Sequence, residues 1–426
     1  MPQLVVADDK NRIYSIPHLE AVGMSASHFF RLSPDDLIKL PPGSQIFTLP
    51  DRLPIGYDTV TGKFITPDGD GPSHGKRVFA AAAFISPGYT ATYSAAYKES
   101  GRPKMLPLFS YAAVAFYRGS FYVSAIKIDN EPRHDPRFID LALVKKNVPK
   151  FIKIFPKNRL VKHLSECALT HGCPGAQNFF LKRCEGPLPS SPSCNARCAG
   201  CISFQEEGNC PATQPRIKFS PTPEEIAEVA LYHIGNVKDT VVSFGQGCDG
   251  EPLLAGELLE RSIKLIRSST QKGIINVNTN ASRPDTIARL FNAGLNSIRV
   301  SMNSAREPFY TRYYRPKGYT FENVLDSISV AKREGGFVSI NYLTMPGFSD
   351  SKKEAAAFAR LIETYHIDMI QWRNMNFDPM RYFSKFGERV TLKELLGVKQ
   401  TIMALKERFP GLMMGYYNPA RGRMGR

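Results

Sequence analysis

From about residue 217 the hydrophobic positions change period at regular intervals. Apolar runs of four to seven residues read as buried strands at 241–244, 274–278, 297–302, 337–343 and 369–373. Between them, apolar residues three and four apart predict a helix through Leu258, Leu259, Ile263 and Ile266, and others over 284–292, 321–333 and 352–365. Thr222-Pro223-Glu224-Glu225 is a capping box with proline at the first helical position, so a further helix starts there and buries Ile226, Val229, Ala230 and Ile234. Strands alternating with helices imply parallel strands joined by right-handed crossovers, hence an α/β barrel or open sheet with its chemistry on the loops that follow the strands. Thr391-Leu392-Lys393-Glu394 is a second capping box, which predicts a helix to about residue 408 and a basic, glycine-rich tail after it.

The first 160 residues have a different texture. Residues 111–117 and 120–129 are rich in β-branched and aromatic side chains and are separated by Arg118-Gly119, the pattern of a hairpin. Pro41-Pro42-Gly43 and Asp68-Gly69-Asp70-Gly71-Pro72 interrupt any long helix. These textures predict a β-rich N-terminal domain over 1–160 and a basic, cysteine-containing connector over 161–192. A strand-and-helix domain over 193–385 and a C-terminal helix with a basic tail over 386–426 complete the chain.

Composition narrows the class. With 42% hydrophobic residues the chain of 426 can bury a core, which excludes wholesale disorder. Its longest apolar stretch, 78–85, is far short of the roughly 20 residues that span a bilayer, and no basic then apolar leader opens the chain. A cytoplasmic location without membrane contact is therefore expected. The net charge of +16 is unevenly spread: residues 101–200 carry 16 Lys and Arg against 6 Asp and Glu, so ten of the sixteen charges fall there. Lys145, Lys146, Lys150, Lys153, Lys157, Arg159, Lys162, Lys182 and Arg183 suit an anionic partner such as RNA, a phosphorylated metabolite or an acidic peptide. A solvated helix face gives the same pattern.

Seven of the eight cysteines lie between Cys167 and Cys210, which speaks for metal binding and against a disulfide scaffold. Cys194, Cys198 and Cys201 form a CxxxCxxC triplet whose thiolates can turn inward on one loop and hold three irons of a [4Fe-4S] cubane. The fourth iron then has an open position for a substrate or cofactor. The competing structural reading is a zinc knuckle or a closed ferredoxin-type cluster.

The chain resembles the radical S-adenosylmethionine (SAM) enzymes from about residue 190 to 380, through the triplet and four markers that follow it in order. Gly245-Gln246-Gly247-Cys248-Asp249-Gly250-Glu251-Pro252 is similar to the family's turn for the SAM amino group, with Gly250 and Glu251 as the matching residues. Asn276-Val277-Asn278-Thr279-Asn280 closes the next strand in polar groups and offers Asn280. Ser301 and Asn303 match the residues that hold ribose and carboxylate, and Met345 lies in the segment that backs adenine. In most of the family an aromatic residue precedes the third cysteine, whereas here it is Gly200, which leaves adenine to Phe204 or the Met345 segment. The resemblance implies a partial, six-stranded (β/α) TIM-type barrel. Pro187, Pro189 and Pro192 make the stretch before the triplet a poor strand, which places the first strand near 179–183. It further implies a [4Fe-4S] cluster and SAM as cofactors, and reductive cleavage of SAM to a 5′-deoxyadenosyl radical that takes hydrogen from a substrate in a reducing setting. An electron donor such as flavodoxin or ferredoxin is implied with it, and the basic flank points to a peptide, protein or RNA as substrate.

Cys167, Cys173, Cys184 and Cys210 bracket the triplet, with His171 nearby. They could hold a second iron-sulfur cluster or a mononuclear iron or zinc, or could be buried small side chains. Cys248 sits in the glycine turn, where a small side chain suits the space and a thiol could also serve a metal or donate hydrogen. Tyr310, Tyr313, Tyr314 and Tyr319 with Arg312 and Arg315 read as a loop that stacks bases or covers SAM. The rival for the whole chain is a basic nucleic-acid-binding protein with a structural metal-cysteine site and no radical chemistry.

Overall fold

The computed structural model describes residues 1–67, 78–206 and 210–424, so the glycine-rich turn expected at 68–72 lies outside the described residues apart from its approach. The chain divides into two units, one of Met1–Asn130, Leu343–Ala359 and Trp372–Pro410, the other of Glu131–Tyr342, Arg360–Gln371 and Gly411–Arg426.

The first unit is built on antiparallel strands. Gln3–Ala7 pairs with Ile13–Glu20, with Phe79–Phe84 and with Val114–Tyr117. Side chains alternate across a strand, and Phe79–Phe84 uses alanine on both faces. Ala80 and Ala82 pack among Val22, Met24 and Leu49, while Ala81 and Ala83 pack among Val5, Val114 and Val123. The small side chains let one strand run between two apolar clusters. The expected hairpin forms between Val114–Tyr117 and Ser120–Val123, and its turn residues Arg118 (φ 47°) and Gly119 (φ 73°) take the left-handed conformations that suit a tight hairpin. Strands of this region end at Ala125–Lys127 rather than near 160.

This unit contains a fully buried ion pair. The Arg52 guanidinium bonds Asp378 at 3.1 Å and the carbonyls of Pro50 and Lys104, and Tyr97 donates its hydroxyl to the other Asp378 oxygen at 3.1 Å. Removing one partner leaves an uncompensated buried charge, which costs about 3–5 kcal/mol.

In the second unit three helices come first: α1 (Leu141–Ile154), α2 (Arg159–Leu169) and α3 (Pro174–Phe180). Asp140 caps α1 by accepting from the Leu143 N–H at 3.0 Å, and Val144, Val148 and Phe151 line its buried face. A parallel sheet follows, its strands neighbours in chain order: β1 (Glu185–Leu188), β2 (Val241–Phe244), β3 (Ile274–Thr279), β4 (Ser297–Met302), β5 (Phe337–Thr344), β6 (Met369–Asn374) and β7 (Met413–Gly415). The helices α4 (Pro223–Asn236), α5 (Gly256–Ser269), α6 (Pro284–Asn292), α7 (Glu307–Tyr314), α8 (Phe321–Arg333) and α9 (Lys352–Tyr365) lie between these strands along the chain. The capping box of α4 forms as read, Glu225 N–H bonding the Thr222 hydroxyl and Thr222 N–H the Glu225 carboxylate.

Three expectations are corrected. The first strand is Glu185–Leu188, not 179–183, where Phe179 and Phe180 end a helix. Its partner in the sheet is β2 alone, and an edge position tolerates Pro187. The described sheet has seven strands rather than six, because Met413–Gly415 in the supposed tail pairs with β6. Thr391 opens only the short turn Leu392–Glu394, and the helix proper is Val398–Arg408, since Gly397 at φ 87° breaks the path between them. Among the described residues no helix is long and apolar enough to cross a membrane.

Two outcomes follow. Arg52→Met should lower stability by about 3–5 kcal/mol in urea unfolding; a change below 1 kcal/mol would show that Asp378 finds other partners. His233 packs its ring against Gly186 of β1, and burial holds its imidazole down at about 4. A depressed folded value means stability is full above the ordinary value near 6.5 and is lost as pH falls toward 4, by about 3 kcal/mol. The urea midpoint of His233→Gln should therefore fall less steeply than wild type between pH 6.5 and 4; parallel slopes would refute the assignment.

Candidate functional site

The site grows from the turn after β2. Gly245 adopts φ 73°, and a Cβ there would meet the Asn278 carbonyl oxygen at 1.9 Å, so only glycine lets the turn lie against the end of β3. Asp249 follows, buried at 5% exposure, and accepts from Ser190 N–H at 3.0 Å, Ser190 hydroxyl at 3.2 Å, Ser191 N–H at 2.5 Å and Gly245 N–H at 3.3 Å. Burial still pushes its carboxyl up to about 6. Beyond it, Gly250 N–H bonds the Ser191 carbonyl at 2.6 Å and Glu251 N–H the Ser193 carbonyl at 2.7 Å. The segment leading into Cys194 is thus held as an extra rung against the turn.

The other side of the cysteine loop is held by α7. Arg197 N–H bonds the Tyr314 carbonyl and Ala199 N–H the Tyr313 carbonyl, both at 3.0 Å, and the Arg315 guanidinium bonds the Arg197 carbonyl at 2.6 Å. The expected aromatic and basic loop is therefore mostly helix: Tyr310, Tyr313, Tyr314 and Tyr319 are buried, and they pack together, with Tyr310 stacked on Tyr314 at 4.5 Å. Cys194, Cys198 and Cys201 remain partly exposed on a loop pinned from both sides. Burial pushes the Cys194 thiol up to about 11, with the Glu251 charge adding to it, and burial followed by the charges of Cys201 and Cys194 raises Cys198 well above the ordinary thiol value. The three thiols therefore lie on one short loop within reach of one another's charge. Arg216 donates to the Cys201 sulfur at 3.6 Å.

The other expected residues take different stations. Glu251 is buried at the mouth of β3, where Oε1 accepts from the Thr279 hydroxyl and Leu253 N–H, and Oε2 from Asn280 N–H at 2.8 Å. Burial pushes it up to about 7. Asn280 spends its side chain on the cysteine loop, donating to Asn195 Oδ1 at 2.8 Å. Ser301 and Asn303 stand at the end of β4, and Asn303 donates to the Phe309 carbonyl at 3.3 Å while its fully buried Oδ1 has no protein partner. Phe204 is 44% exposed with the Arg216 guanidinium 5.5 Å from its ring centre. Met345 belongs to the first unit, where it lines a small pocket with Thr344, Asn374 and Phe377.

A second group of ligand-type side chains gathers behind the same turn. His163 Nε2 lies 3.3 Å from the Cys248 sulfur and 3.5 Å from the Cys167 sulfur. The Cys248 hydrogen bond, with His163 beside it, holds Cys167 well below the ordinary thiol value, and the same bond pushes Cys248 up. Cys173 is close enough that the Cys167 charge raises it and its own charge raises Cys248. Of the four cysteines expected as an auxiliary set, Cys167 alone belongs to the close group, and Cys173 stands beside it, its N–H bonded to the Cys167 carbonyl at 3.0 Å. Cys184 instead donates its S–H to the Arg133 carbonyl at 2.8 Å, and Cys210 is buried outside the group. The sequence reading missed His163 and Asp249. His163 and Cys167 stand four apart on α2, a same-face spacing that points to a shared ligand once the helix is recognised.

A parallel sheet that presents three cysteines beside a glycine turn defines a class. A family model described as the Radical SAM superfamily matches residues 188–359, so this segment is a Radical SAM domain, and the cofactors of that superfamily are a [4Fe-4S] cluster and SAM. Molybdenum cofactor biosynthesis protein 1 of Mus musculus is 26% identical over 241 residues, 56% of this chain and 34% of its own length. The Homo sapiens protein of the same name is 26% identical over 240 residues with the same shares. The chain spans about a third of the length of these curated relatives. Among solved structures, Streptococcus suis SuiB bound to S-adenosylmethionine is 12% identical, covering 74% of this chain and 72% of that one at a TM-score of 0.39. The FeFe-hydrogenase maturase HydG from Carboxydothermus hydrogenoformans is 16% identical, covering 65% and 70% at 0.39.

The residues fit these cofactors. Three thiols on one short loop offer a face for three irons, and the orphaned Asn303 Oδ1 offers a buried acceptor to a ligand. Gly250→Ala tests the geometry, because its Cβ would fall 1.9 Å from the Ser193 carbonyl oxygen and push the cysteine loop away. Reconstituted Gly250→Ala should hold severalfold less iron than wild type and lose about 1–3 kcal/mol of stability. Gly411→Ala, whose Cβ meets nothing within 4 Å, serves as the control; equal iron loading in all three proteins would contradict the packing argument.

Proposed function

We propose that the chain is an enzyme that reductively cleaves SAM and abstracts hydrogen from an anionic, macromolecular substrate. The placing of Cys194, Cys198 and Cys201 on one loop pinned between the β2 turn and α7 carries this reading. Bound together, the cluster and SAM supply one-electron chemistry that yields a carbon-centred radical. The chain's own part is placement. Glu251, fixed by Thr279, Leu253 and Asn280, keeps a lone pair for the ammonium of SAM, and a cation there favours its charged form. At the end of β4 the Asn303 Oδ1 accepts from a ribose hydroxyl and the Ser301 hydroxyl donates to the carboxylate, and Phe204 is the candidate face for adenine where Gly200 supplies none. The buried tyrosines of α7 wall the cysteine loop and exclude water from it.

The substrate class rests on charge. Lys145, Lys146, Lys150, Lys153, Lys157 and Lys162 are exposed on α1, α2 and the link between them, a surface that attracts an anionic protein, peptide or RNA and equally an acidic electron donor of the flavodoxin or ferredoxin kind. The likeness to the molybdenum cofactor biosynthesis proteins covers a third of their length and supports the shared cofactor domain without a particular substrate.

Anaerobically reconstituted protein with a strong reductant should convert SAM to 5′-deoxyadenosine. Cys198→Ala should lower that rate at least a hundredfold and remove the brown cluster absorbance; cleavage surviving this change would sink the proposal. Colourless protein that carries zinc alone and binds RNA with steep salt dependence would favour the nucleic-acid-binding alternative instead.

A further inference from the structure

We propose that His163, Cys167 and Cys248, with Cys173 as fourth ligand, form a second metal site that binds a single tetrahedral divalent ion, zinc by the chemistry of its donors. The ligand atoms of the first three lie within 4.8 Å of one another, and Cys167 and Cys248 are buried. Distance distinguishes one ion from a cluster. With metal–sulfur bonds of about 2.3 Å and metal–nitrogen bonds of about 2.0 Å, a tetrahedral ion sets sulfur and nitrogen ligands about 3.5 Å apart. The observed separations of His163 Nε2 are 3.3 Å to Cys248 and 3.5 Å to Cys167. In a [4Fe-4S] cluster each thiolate binds a different iron, and in a [2Fe-2S] cluster only two protein ligands share one iron, so three mutually close ligand atoms fit a single ion better than a cluster.

The backbone also prepares the fourth position. Cys173 follows α2 after a tight turn, and its N–H bonds the Cys167 carbonyl at 3.0 Å, which brings the end of the helix back beside its own ligand face. A Cβ at Gly175 would lie 3.9 Å from the Cys173 sulfur and 3.6 Å from Gln246 Oε1, so the thiol borders the same β2 turn that carries Cys248. Three sulfurs and one imidazole make the Cys₃His set of closed structural zinc sites. The set joins α2 to the turn that continues into Asp249, Gly250 and Glu251, so the ion would tie that turn to α2.

The experiment uses the full chain with Cys194, Cys198 and Cys201 all changed to Ala, which cannot hold the catalytic cluster. After chelation, added cobalt(II) should bind at one equivalent, with thiolate charge-transfer absorbance and the visible bands of tetrahedral cobalt, and zinc should displace it. Adding Cys248→Ser or His163→Gln to that background should weaken cobalt binding at least tenfold, while Cys184→Ser should not. Zinc should raise the melting midpoint of the triple variant and leave that of the Cys248→Ser variant unchanged, which separates loss of the site from loss of the fold. Absence of tetrahedral bands, bands indifferent to both Cys248→Ser and His163→Gln, or stoichiometric iron and sulfide in the triple variant would each overturn the proposal. These readouts do not depend on SAM cleavage, so the site stands or falls apart from the radical reading.

Discussion

The buried carboxylate of Asp249 is solvated by protein alone, and the geometry of the site depends on it. Its two oxygens gather the N–H groups of Ser190, Ser191 and Gly245, tying the strand before the cysteines to the turn after β2. A buried charge costs several kcal/mol unless its hydrogen-bonding capacity is filled. The carboxylate therefore penalises any arrangement in which the two segments part. The hydrogen bonds from Gly250 and Glu251 to Ser191 and Ser193 then set the cysteine loop in register, and the absence of a Cβ at Gly250 allows the approach. Backbone hydrogen bonds, anchored by the Asp249 carboxylate, place the cysteines.

The parallel sheet supplies what that clamp needs. Buried polar side chains on β2, β3 and β4 satisfy one another: Ser297 donates to Asn276, Asn276 to Asn278, and Asn418 beyond β7 reaches Ser243, Asn278 and Glu185. Such a network is costly if any member is missing and specific if complete. It fixes the strand ends to which Glu251, Thr279 and Asn303 are attached, and hydrophobic residues on the alternate positions, such as Val277 and Val300, pack the opposite face under the helices.

How much of this was legible follows from whether the signal was local. The helices over 284–292, 321–333 and 352–365 were read to the residue, because amphipathic period and end signals coincide in each. The helices α1 to α3 were missed, since lysines and an internal Pro149 blur the apolar face of α1. β1 and β7 owe their existence to a neighbouring strand, and neither Glu185-Gly186-Pro187-Leu188 nor Met413-Met414-Gly415 has strand character alone. In the site, the triplet, Glu251 and Asn303 were visible by residue type. The Asp249 clamp and the meeting of His163 with Cys248, 85 residues apart, are products of the folded topology and leave no local trace.

Two sets of ligand-type side chains meet the segment from Gly245 to Glu251, with Cys248 and Asp249 on the turn itself and the charge of Glu251 acting on Cys194. Like charges nearby add to burial in raising Cys173, Cys194, Cys198, Cys248 and Glu251, whereas Cys167 is lowered by its bonds to Cys248 and His163. Arg216 at Cys201 and the imidazole of His163 are the cationic or proton-donating side chains bonded directly to these sulfurs in the described contacts. Ionising the thiols without further positive charge would set like charges against one another in a poorly hydrated space. Metal bound at the proposed sites would relieve that conflict, and ligands that bind only the folded chain stabilise it by mass action. Under the two proposals the turn from Gly245 to Glu251 would adjoin both metal sites, and loading one would lower the cost of ordering the backbone that the other requires.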